Sequence, residues 1–404
     1  MTPMTPRIAV LLETSLGISR DHLSGILKYI SLHDIWTIDL VAGGLSDQTL
    51  GRHWNGDGII ARLGSPGMVA KLAAIDVPKV LIDPQAPFVS GGAALSGWPQ
   101  IANDYRECGR TAARYLLKRG FASFAFVGPE LSSALQYRND ATWPEVPNWS
   151  VGRWEGFSGE VAAAGHPCVA YPPCETRMGS LSWERERPRL VSWLETLPKP
   201  VAIYVSHDPR ARQVLDACQI GGFAVPYQVA VLGTNDDPII CETSQPPLSS
   251  VMVDSFKGGY LAAELMDGLL HGRRPKSKTC CYGQRGVRSR ASTGMFQTND
   301  PAVIETLEQI RLRRGFNLRL PDLADHVGVS TRWLQKRFKA CLGRCVGDVV
   351  RSTMLDNVMQ LVRETDMSLG EITALSGQLS ASHLAEMFRK RFGTSMSSVR
   401  RSRS

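Results

Sequence analysis

Along the first 270 residues, short apolar stretches alternate with longer stretches in which apolar positions recur at helical spacing. The short stretches are rich in β-branched residues and predict strands at 7–13, 37–41, 58–62, 80–83, 121–128, 201–207 and 229–233. The longer stretches predict helices at 20–33, 105–119, 153–164, 181–197, 209–220 and 255–271. This alternation is typical of parallel sheets with helices on both faces, so it predicts an α/β fold for this part of the chain.

The last part of the chain, residues 300–404, contains one pattern twice. Residues 337–349 match residues 387–399 at a constant offset of 50. In each copy a short helix, a tight turn and a second helix follow one another, which is the helix-turn-helix motif. This part is therefore predicted to be an all-α domain with two helix-turn-helix units.

The turn residues support this prediction. Gly328 and Gly377 lie where the chain leaves the first helix of each unit, a position that favours a left-handed backbone conformation. Ser330 and Ser380 lie where a side-chain oxygen would cap the second helix. Residues 348–364 carry an apolar stripe and predict a long helix that holds the two units at a fixed separation.

The free face of each second helix offers side chains that can contact DNA. Arg and Gln suit the base edges in the major groove, and Lys suits phosphates. Two units about one DNA turn apart would address successive major grooves on one side of the duplex. The predicted contact residues are Thr331, Arg332, Gln335, Lys336, Lys339, Ser380, Ser382, His383, Glu386 and Arg389. A helical dimerisation bundle would explain the apolar stripes, but not the two turns or the basic excess.

The net charge of +8 is unevenly divided along the chain. Residues 1–270 carry 22 basic and 27 acidic side chains, whereas residues 271–299 carry seven basic side chains and no acidic one. Residues 300–404 carry 17 basic and 11 acidic side chains. An acidic body joined to a basic end is expected if the C-terminal part binds a polyanion such as DNA. Residues 272–299 are predicted to be a basic linker between a domain at 1–271 and the C-terminal domain.

Membrane and metal proteins have signals that this sequence lacks. No apolar run reaches the roughly 18 residues of a membrane span, and the N-terminus lacks the apolar core of a signal peptide. Nine cysteines without a CxxC pair or metal-ligand spacing predict reduced thiols in a cytoplasmic protein. We therefore expect no membrane contact, no metal and no cofactor.

The sequence also lacks the signals of common enzyme classes. Neither glycine-rich nucleotide-binding loops nor a GxSxG nucleophile motif occur. Ser206, His207 and Asp208 are consecutive, so their side chains point in different directions and cannot form a catalytic triad. The chain is predicted not to be an enzyme, and no residue is assigned a catalytic role.

Polar side chains follow the predicted strands or lie on the helices after them. In an open α/β sheet, ligands bind at the carboxyl ends of the strands, where helix N-termini also converge. Paired donors and acceptors there can hold neighbouring hydroxyl groups of a sugar, and Trp143, Trp149 or Trp154 can cover its apolar face. The predicted ligand-binding residues are Glu13, Arg20, Asp104, Trp149, Arg153, Asp208, Asn235 and Asp236. The alternative for Asp104 and Asp208 is a role as helix caps.

The C-terminal part resembles the AraC-type transcription regulators. The resemblance rests on LADHVGVSTRWLQKRFKACLG in the first unit and LGEITALSGQLSASHLAEMFRKRFGTSMSSVR in the second. Gln378 stands where the family usually has an aromatic residue, so the packing of the second unit is expected to differ. The resemblance implies that double-stranded promoter DNA is a partner, and RNA polymerase is a candidate second one.

The N-terminal part resembles the ligand domain of LacI/GalR-type repressors, which is similar to periplasmic sugar-binding proteins. The matching segments include ANDYRECGRTAARYLLKRGFASFAFVG, RWEGF, SHDPRARQVLDAC and VAVLGTNDD. The resemblance implies a two-lobed fold with parallel sheets. It also implies that Arg153, Asp208 and Asn235, with Asp236 beside it, contact a sugar.

The order of the two modules, ligand domain first and DNA-binding domain second, resembles that of the bacterial regulators of xylose operons. This resemblance implies a homodimeric transcription activator controlled by a monosaccharide, with xylose as the expected effector. Closure of the lobes around the sugar, about hinges near Pro129 and near Ser249 and Ser250, would shift the population of conformations. Two alternatives stay open: a sugar-responsive repressor, or a sugar receptor whose basic C-terminal domain binds a protein partner.

Overall fold

A computed structural model describes residues 5–33, 36–42, 50, 54–63, 66–84, 97–128, 148–172, 183–294, 296–378 and 380–401. The chain divides into two compact units between residues 295 and 296. The first unit is α/β and the second is all-α, which confirms the predicted fold classes. Within the described ranges, no helix is long and apolar enough to cross a membrane.

The first lobe of the α/β unit is built on a parallel six-stranded sheet. Its strands are β1 (Arg7–Leu12), β2 (Thr37–Ala42), β3 (Gly58–Ala61), β4 (Lys79–Ile82), β5 (Gln100–Asn103) and β11 (Thr279–Tyr282), in the order β11-β5-β4-β3-β1-β2. Helices α1 (Gly17–His33), α2 (Pro66–Ala73) and α8 (Ser255–Leu270) cover it. Because β1 is covered on both faces, its sequence is apolar almost throughout rather than alternating.

The second lobe is built on another six-stranded sheet. Its strands are β6 (Ser123–Val127), β7 (Cys168–Ala170), β8 (Val201–Val205), β9 (Val229–Thr234), β10 (Ser249–Val253) and β12 (Gln284–Arg288), in the order β12-β10-β9-β8-β6-β7. Strand β12 runs antiparallel to β10, and the other neighbours are parallel. The helices of this lobe are α3 (Tyr105–Leu117), α4 (Asn148–Ala163), α5 (Trp183–Thr196), α6 (Asp208–Ile220) and α7 (Pro238–Thr243).

Each lobe contains one pair of helices that touch through glycines. In the first lobe α1 and α8 meet at Gly25 and Gly259, and in the second lobe α3 and α4 meet at Gly109 and Gly156. A Cβ atom on any of the four would lie 1.9–2.1 Å from a facing carbonyl oxygen, so only glycine allows this approach. The oxygen that faces Gly109 belongs to Arg153, so this crossing fixes the position of a predicted site residue.

Within the described residues, three chain crossings join the lobes. The chain passes from β5 to α3 at Asp104, from β10 to α8 at Asp254, and from β11 to β12 at Gly283. The crossings are tied together, because the Asp104 amide donates to the Tyr282 carbonyl at 2.9 Å and the Asp254 amide donates to the Gly283 carbonyl at 3.0 Å. The hinge between the lobes therefore lies here.

The predicted hinge positions differ from these. Ser249 and Ser250 are fully buried at the start of β10, and the crossing expected near them lies at the other end of this strand, at Asp254. The other predicted hinge, at Pro129, lies outside the described residues.

The prediction of a basic linker at 272–299 is also corrected. Residues 279–282 form an edge strand of the first sheet, and residues 284–288 form an edge strand of the second. Ser292 and Thr293 follow them and are buried. Because edge strands are partly solvated, they tolerate arginine and cysteine and give no apolar signal in the sequence.

The second unit consists of helices around a small apolar core that includes Val358, Ile372 and Phe388. Its helices are α9 (Pro301–Leu312), α10 (Leu320–Val327), α11 (Thr331–Leu342), α12 (Val346–Glu364), α13 (Leu369–Ser376), α14 (Ala381–Phe392) and α15 (Met396–Arg401). The pairs α10–α11 and α13–α14 are the two predicted helix-turn-helix units, and α12 is the predicted long helix between them. The prediction for this unit is confirmed.

Candidate functional site

Residues of the two lobes approach each other at the carboxyl ends of their strands. Arg20 of α1 lies with Nη2 3.8 Å from Asp237 Oδ2, which follows β9 in the other lobe. A Cβ atom on Gly17 would lie 2.6 Å from the same carboxylate oxygen. The polar groups that follow β1, β3 and β4 in one lobe, and β8 and β9 in the other, therefore border a common cleft.

Arg153 of α4 contacts the turn that follows β9 on the second lobe. Its Nη1 donates to the Ser206 carbonyl, and its Nη2 donates to Asn235 Oδ1 at 3.2 Å. The guanidinium carbon lies 5.2 Å from the ring centroid of Trp149 and 5.9 Å from that of Tyr105. Its Nε is buried and has no hydrogen-bond partner among the described residues. The structure thus brings Arg153, Asn235 and Trp149 together, as the sequence predicts.

His207 is a cleft residue that the sequence analysis considered only as part of a triad. Its ring packs edge-on against Trp149 with 5.5 Å between centroids, and its Nδ1 lies 3.0 Å from Ser206 Oγ. Burial, together with the nearby Arg153 and Arg210 cations, lowers the pKa of His207 to about 3. The imidazole is therefore neutral near pH 7 and can donate one hydrogen bond and accept another. Its place directly after β8 was the signal that could have identified it.

Asp83 is a second residue that the sequence analysis missed. It follows β4, is buried and has a left-handed backbone with φ of 46°. Its Oδ1 accepts from the Asn103 amide at 2.9 Å, and its Oδ2 accepts from the Tyr282 hydroxyl at 2.6 Å. Burial and the Asp83 charge raise the pKa of Tyr105 and of Tyr282 well above the usual range. Asp83 therefore connects the cleft with the hinge strands.

Glu13 and Arg20 shape the loop between β1 and α1. Arg20 Nη1 donates to the carbonyls of Thr14 at 3.0 Å and Ser15 at 2.8 Å. The Ser15 hydroxyl donates to Glu13 Oε1. Both predicted residues thus lie at the cleft edge of the first lobe, where Arg20 supports the loop that carries Glu13.

Asp104 and Asp208 both make hydrogen bonds to neighbouring protein groups. Asp104 Oδ1 accepts from the Glu107 amide at 2.9 Å and caps α3, which is the alternative that the sequence left open. Asp208 is fully buried; its Oδ1 accepts from the Ser250 hydroxyl at 2.6 Å and its Oδ2 from the Asp237 amide at 2.9 Å. Through these two hydrogen bonds Asp208 supports the turn after β9.

Asp236 forms ion pairs with two arginines of its own lobe. Its Oδ1 lies 2.8 Å from Arg290 Nη1, and its Oδ2 lies 3.0 Å from Arg288 Nη1. The carboxylate is therefore neutralised by two arginines that come from the end of β12 and the residues after it. Asn235, and not Asp236, is the residue of this turn that reaches Arg153. Trp143 lies outside the described residues, and no cluster of possible metal ligands occurs within the described ranges.

The first helix-turn-helix unit has the turn geometry that its sequence predicts. Gly328 ends α10 with φ of 73°, in the left-handed region. The Ser330 hydroxyl then accepts from the Trp333 amide at 3.2 Å and caps α11. Leu334 and Phe338 are buried, so the opposite face of α11 is free. Of the predicted contact residues on this helix, Thr331 is half-buried, and Arg332, Gln335, Lys336 and Lys339 are exposed.

The second unit repeats this geometry with different side chains on the free face. Gly377 ends α13 with φ of 74°, and the Ser380 hydroxyl caps α14 by accepting from the His383 amide at 3.2 Å. Gln378 lies with Oε1 3.3 Å from His383 Nδ1, and its Nε2 donates to Met354 Sδ at 3.4 Å. The predicted residues Ser380, Ser382, His383, Glu386 and Arg389 are all exposed.

The sequence matches two family models in the same order as the two units. Residues 113–293 match a periplasmic binding protein-like domain, and residues 323–402 match a helix-turn-helix domain. The first match extends through β11 and β12, which agrees with a boundary near residue 295 rather than at 271.

Relatives of known function match nearly the whole chain. The chain is 27% identical over 396 residues to the xylose operon regulatory protein of Haemophilus influenzae, covering 97% of both. It is 28% identical over 393 residues to that of Escherichia coli K12, covering 96% of this chain and 95% of the relative. A solved structure of the xylose-binding transcription activator xylR superimposes with a TM-score of 0.78 at 26% identity, with complete coverage of both chains. The two relatives are named as regulators of the xylose operon, and the solved structure is that of a transcription activator.

Proposed function

We propose that the chain is an AraC-type transcription regulator with a LacI/GalR-like ligand domain, and that it activates transcription when a monosaccharide, most favourably xylose, occupies its inter-lobe cleft. One combination of features carries the proposal. Two equivalent, capped helix-turn-helix units follow a two-lobed domain in the sequence, and Arg153, Asn235 and Trp149 lie together in that domain. The names of the full-length relatives favour xylose among the monosaccharides.

The cleft chemistry suits a neutral polyol. Arg153 has a buried Nε without a partner among the described residues, and Asn235 offers an amide beside it, so together they can donate to and accept from neighbouring hydroxyl groups. Neutral His207 adds a further donor and acceptor, and the Trp149 ring offers an apolar face to the C–H groups of a sugar ring. Glu13 and Arg20, from the β1–α1 region of the first lobe, would complete the site, since Arg20 lies 3.8 Å from Asp237 of the second lobe.

The sugar acts by favouring one arrangement of the lobes. Contacts from both lobes to one small molecule are made together only when the cleft is closed, so binding shifts the population toward the closed form. The three crossings at Asp104, Asp254 and Gly283 would absorb this motion, because they alone connect the lobes in the described chain. The ligand domains act as a homodimer in the cytoplasm, and closure changes how the DNA-binding ends are presented.

The DNA is contacted by α11 and α14. Arg332 and Gln335 read base edges in the first major groove, and Thr331, Lys336 and Lys339 contact the backbone beside them. In the second unit Ser382, His383 and Arg389 contact the next groove, Glu386 can accept from a cytosine amino group, and Ser380 positions the helix start. Once bound beside a promoter, the regulator would recruit RNA polymerase.

A footprinting and transcription experiment tests this proposal. The purified full-length chain is mixed with its own upstream promoter region, with and without xylose, and transcription by RNA polymerase is measured in parallel. Xylose is expected to raise occupancy and transcript level, whereas sugars that do not bind, identified by thermal shift, are expected to leave both unchanged. A decrease in transcript with xylose would establish a repressor instead, and no footprint under any condition would contradict DNA binding.

A further inference from the structure

The turn that carries Asn235 also contacts the chain segment that leaves the ligand domain. We call residues 288–294 the exit segment, because the helical unit begins directly after it at residue 296. Asp236, next to Asn235, binds two arginines of this segment through separate carboxylate oxygens: Arg290 at 2.8 Å and Arg288 at 3.0 Å. Within this one turn, Asn235 contacts Arg153 and the adjacent Asp236 contacts the exit segment.

Of the two arginines, Arg290 is held more firmly against this turn. Only 8% of its side chain is exposed, compared with 52% for Arg288. Besides Asp236, it donates from Nη1 to the Leu248 carbonyl at 2.9 Å and from Nε to Glu242 at 2.7 Å. A largely buried arginine with several fixed acceptors has little freedom to follow one partner without the others. A displacement of Asp236 must therefore be matched by Arg290 and its backbone.

Hydrogen bonds connect the exit segment to strands β9 and β10. The Arg290 amide donates to Ser249 Oγ at 2.7 Å, and Ser249 Oγ donates to the Arg290 carbonyl at 3.1 Å. Farther along, the Ser292 hydroxyl donates to the Val231 carbonyl of β9 at 2.6 Å, and Thr293 Oγ1 donates to Ser249 Oγ at 2.6 Å. The exit segment is therefore not a loose tether but a continuation of the second lobe.

The turn itself is under conformational constraint. Asn235 and Asp236 both have positive φ, 105° and 59°, a region that non-glycine residues occupy only when surrounding contacts hold them there. The contacts that hold this turn are the Arg153 bond to Asn235, the Ser250 hydroxyl at 3.0 Å from the Asp236 amide, and the two arginines. A ligand that competes for Arg153 or Asn235 changes one of these restraints directly.

We propose that Arg290 is a positioning residue that couples the occupancy of the cleft to the exit segment through the ion pair with Asp236. This inference rests on the proposed function, because it assumes that a sugar binds at Asn235 and that DNA binding responds to it. The sugar alters the Arg153–Asn235 hydrogen bond and the Asn235–Asp236 turn moves with it. The Asp236 carboxylate then moves Arg290 and the segment that precedes the DNA-binding unit.

The test measures coupling separately from binding. For each full-length variant, calorimetry gives the dissociation constant for xylose, and a mobility-shift titration gives the dissociation constant for promoter DNA with and without xylose. The ratio of the two DNA constants is the coupling factor, which for allosteric proteins is typically about 5 to 150. The variants are Arg290→Gln, Arg290→Lys and Arg288→Gln, and the matched control is Glu242→Gln, which removes the exposed partner of Arg290 but leaves Asp236 untouched.

We expect Arg290→Gln to reduce the coupling factor to near 1 while the xylose constant changes by less than about threefold. Arg290→Lys, which keeps the charge but loses the fixed fork, should restore part of the coupling. Arg288→Gln, at a half-exposed position where folding is not at risk, should reduce the coupling factor by about twofold or more, and Glu242→Gln should leave it unchanged.

Three outcomes would overturn the inference. An unchanged coupling factor in Arg288→Gln and in folded Arg290 variants would show that this ion pair does not transmit the signal. A loss of xylose affinity in proportion to the loss of coupling would make Arg290 part of the ligand site and not a relay. If the wild-type chain itself bound DNA equally with and without xylose, the proposed function would fail as well, so the two failures are distinguishable.

Discussion

Arg153 Nη2 donates a hydrogen bond to Asn235 Oδ1 at 3.2 Å, which joins helix α4 to the turn after β9. The two residues are far apart in sequence, yet each was predicted to bind the effector. Arg153 stands there because α4 crosses α3 at Gly109, whose Cα faces the Arg153 carbonyl. Asn235 lies directly after β9, where its backbone has a positive φ of 105°. The site is thus a product of helix packing on one side and of an unusual turn on the other.

The first prediction concerns Arg153. Replacing it with Met keeps the length of the side chain but removes the charged donors, so sugar affinity should fall by roughly 10- to 100-fold, since hydrogen bonds to charged groups contribute about 1.5–3 kcal/mol. Calorimetry with xylose measures this. The control is Arg106→Met on the neighbouring helix, which removes only an exposed ion pair with Glu155. An Arg153→Met variant that is folded and binds xylose normally would remove Arg153 from the site.

The second prediction concerns the pH dependence of sugar binding. The pKa of His207 is lowered from 6.5 to about 3 by burial and by neighbouring arginines, so the ring stays neutral from pH 8 down to pH 5. Sugar affinity should therefore be constant over this range, because His207 takes up no proton. Calorimetry at pH 5, 6.5 and 8 tests it, with His207→Gln as the variant that lacks a titrating ring. A wild-type affinity that falls below pH 6.5, but not in His207→Gln, would contradict the neutral imidazole.

The third prediction concerns Asp208 and stability. Burial raises the pKa of Asp208 from 3.8 to about 7. Between these values the native state holds a proton that the unfolded state has released, so the free energy of unfolding decreases as pH rises from about 4 to about 7. Asp208→Asn cannot ionise, so it should gain stability relative to wild type between pH 5 and pH 8, by at most about 1.4 kcal/mol for each pKa unit in that window.

Urea unfolding of both proteins at the two pH values measures this difference. The hydrogen bonds lost or altered by the amide contribute equally at both pH values, so they cancel in the comparison. A stability difference that is the same at pH 5 and pH 8 would show that Asp208 is ionised throughout. Because Asp208 lies inside the lobe, xylose affinity should change little in a folded Asp208→Asn protein.

The fourth prediction compares equivalent positions of the two DNA-binding helices. Lys336 on α11 corresponds to Glu386 on α14 at the offset of 50 residues, and both side chains are exposed. Lys336→Ala should weaken binding to all DNA sequences and reduce the salt slope by about 1. Glu386→Ala should not weaken non-specific binding, because a carboxylate near phosphates is repelled rather than attracted. Mobility shifts over a range of salt concentrations, on promoter and random DNA, give both quantities.

Base readout is tested at the neighbouring position. Arg332→Ala should cost roughly 1–3 kcal/mol on the promoter and relax the preference for one base pair, whereas Ser382→Ala, its counterpart in the second unit, should cost less. Selection of binding sites from random DNA reveals which base pair loses its preference. If Arg332→Ala left both affinity and sequence preference unchanged, a different face of the unit would read the bases.

The fifth prediction concerns the two turn glycines. A Cβ atom on Gly328 would meet nothing within 4 Å, so Gly328→Ala should cost only the left-handed backbone strain of about 1–2 kcal/mol. A Cβ atom on Gly377 would lie 2.0 Å from Asn317 Oδ1 and 2.9 Å from its Cγ, so Gly377→Ala must also displace that side chain. Thermal unfolding of the full chain should therefore show a larger loss for Gly377→Ala. Equal losses would mean that Asn317 moves freely.

Much of the fold could be predicted because its signals are local. The central strands β1, β3, β8 and β9 are buried and consist of continuous apolar runs, which are visible without a structure. The edge strands β11 and β12 were missed because they are partly solvated and carry Thr, Cys, Gln and Arg. Their assignment to two different sheets depends on pairing with β5 and β10, which the local sequence does not encode.

For the cleft, the residue types were easier to predict than their roles. Asp104, Asp208 and Asp236 have suitable chemistry at strand ends, but the sequence does not show which protein groups their oxygens already bind. The partners that use them, Ser250 for Asp208 and Arg290 for Asp236, lie 42 and 54 residues away in sequence. His207 lies directly after β8, a position that could have identified it, whereas the contacts of Asp83 with Asn103 and Tyr282 depend on residues 20 and 199 positions away in sequence.

The sequence by itself determined the two helix-turn-helix units. Their turns depend on one glycine with a left-handed backbone and one serine cap each, and these interactions span only three residues. Tertiary structure alone decided which polar groups of the ligand domain remain available and where its hinge lies. Hydrogen-bond saturation and strand pairing depend on residues brought together by the whole fold, and the exit segment acquired its contacts with the cleft turn in the same way.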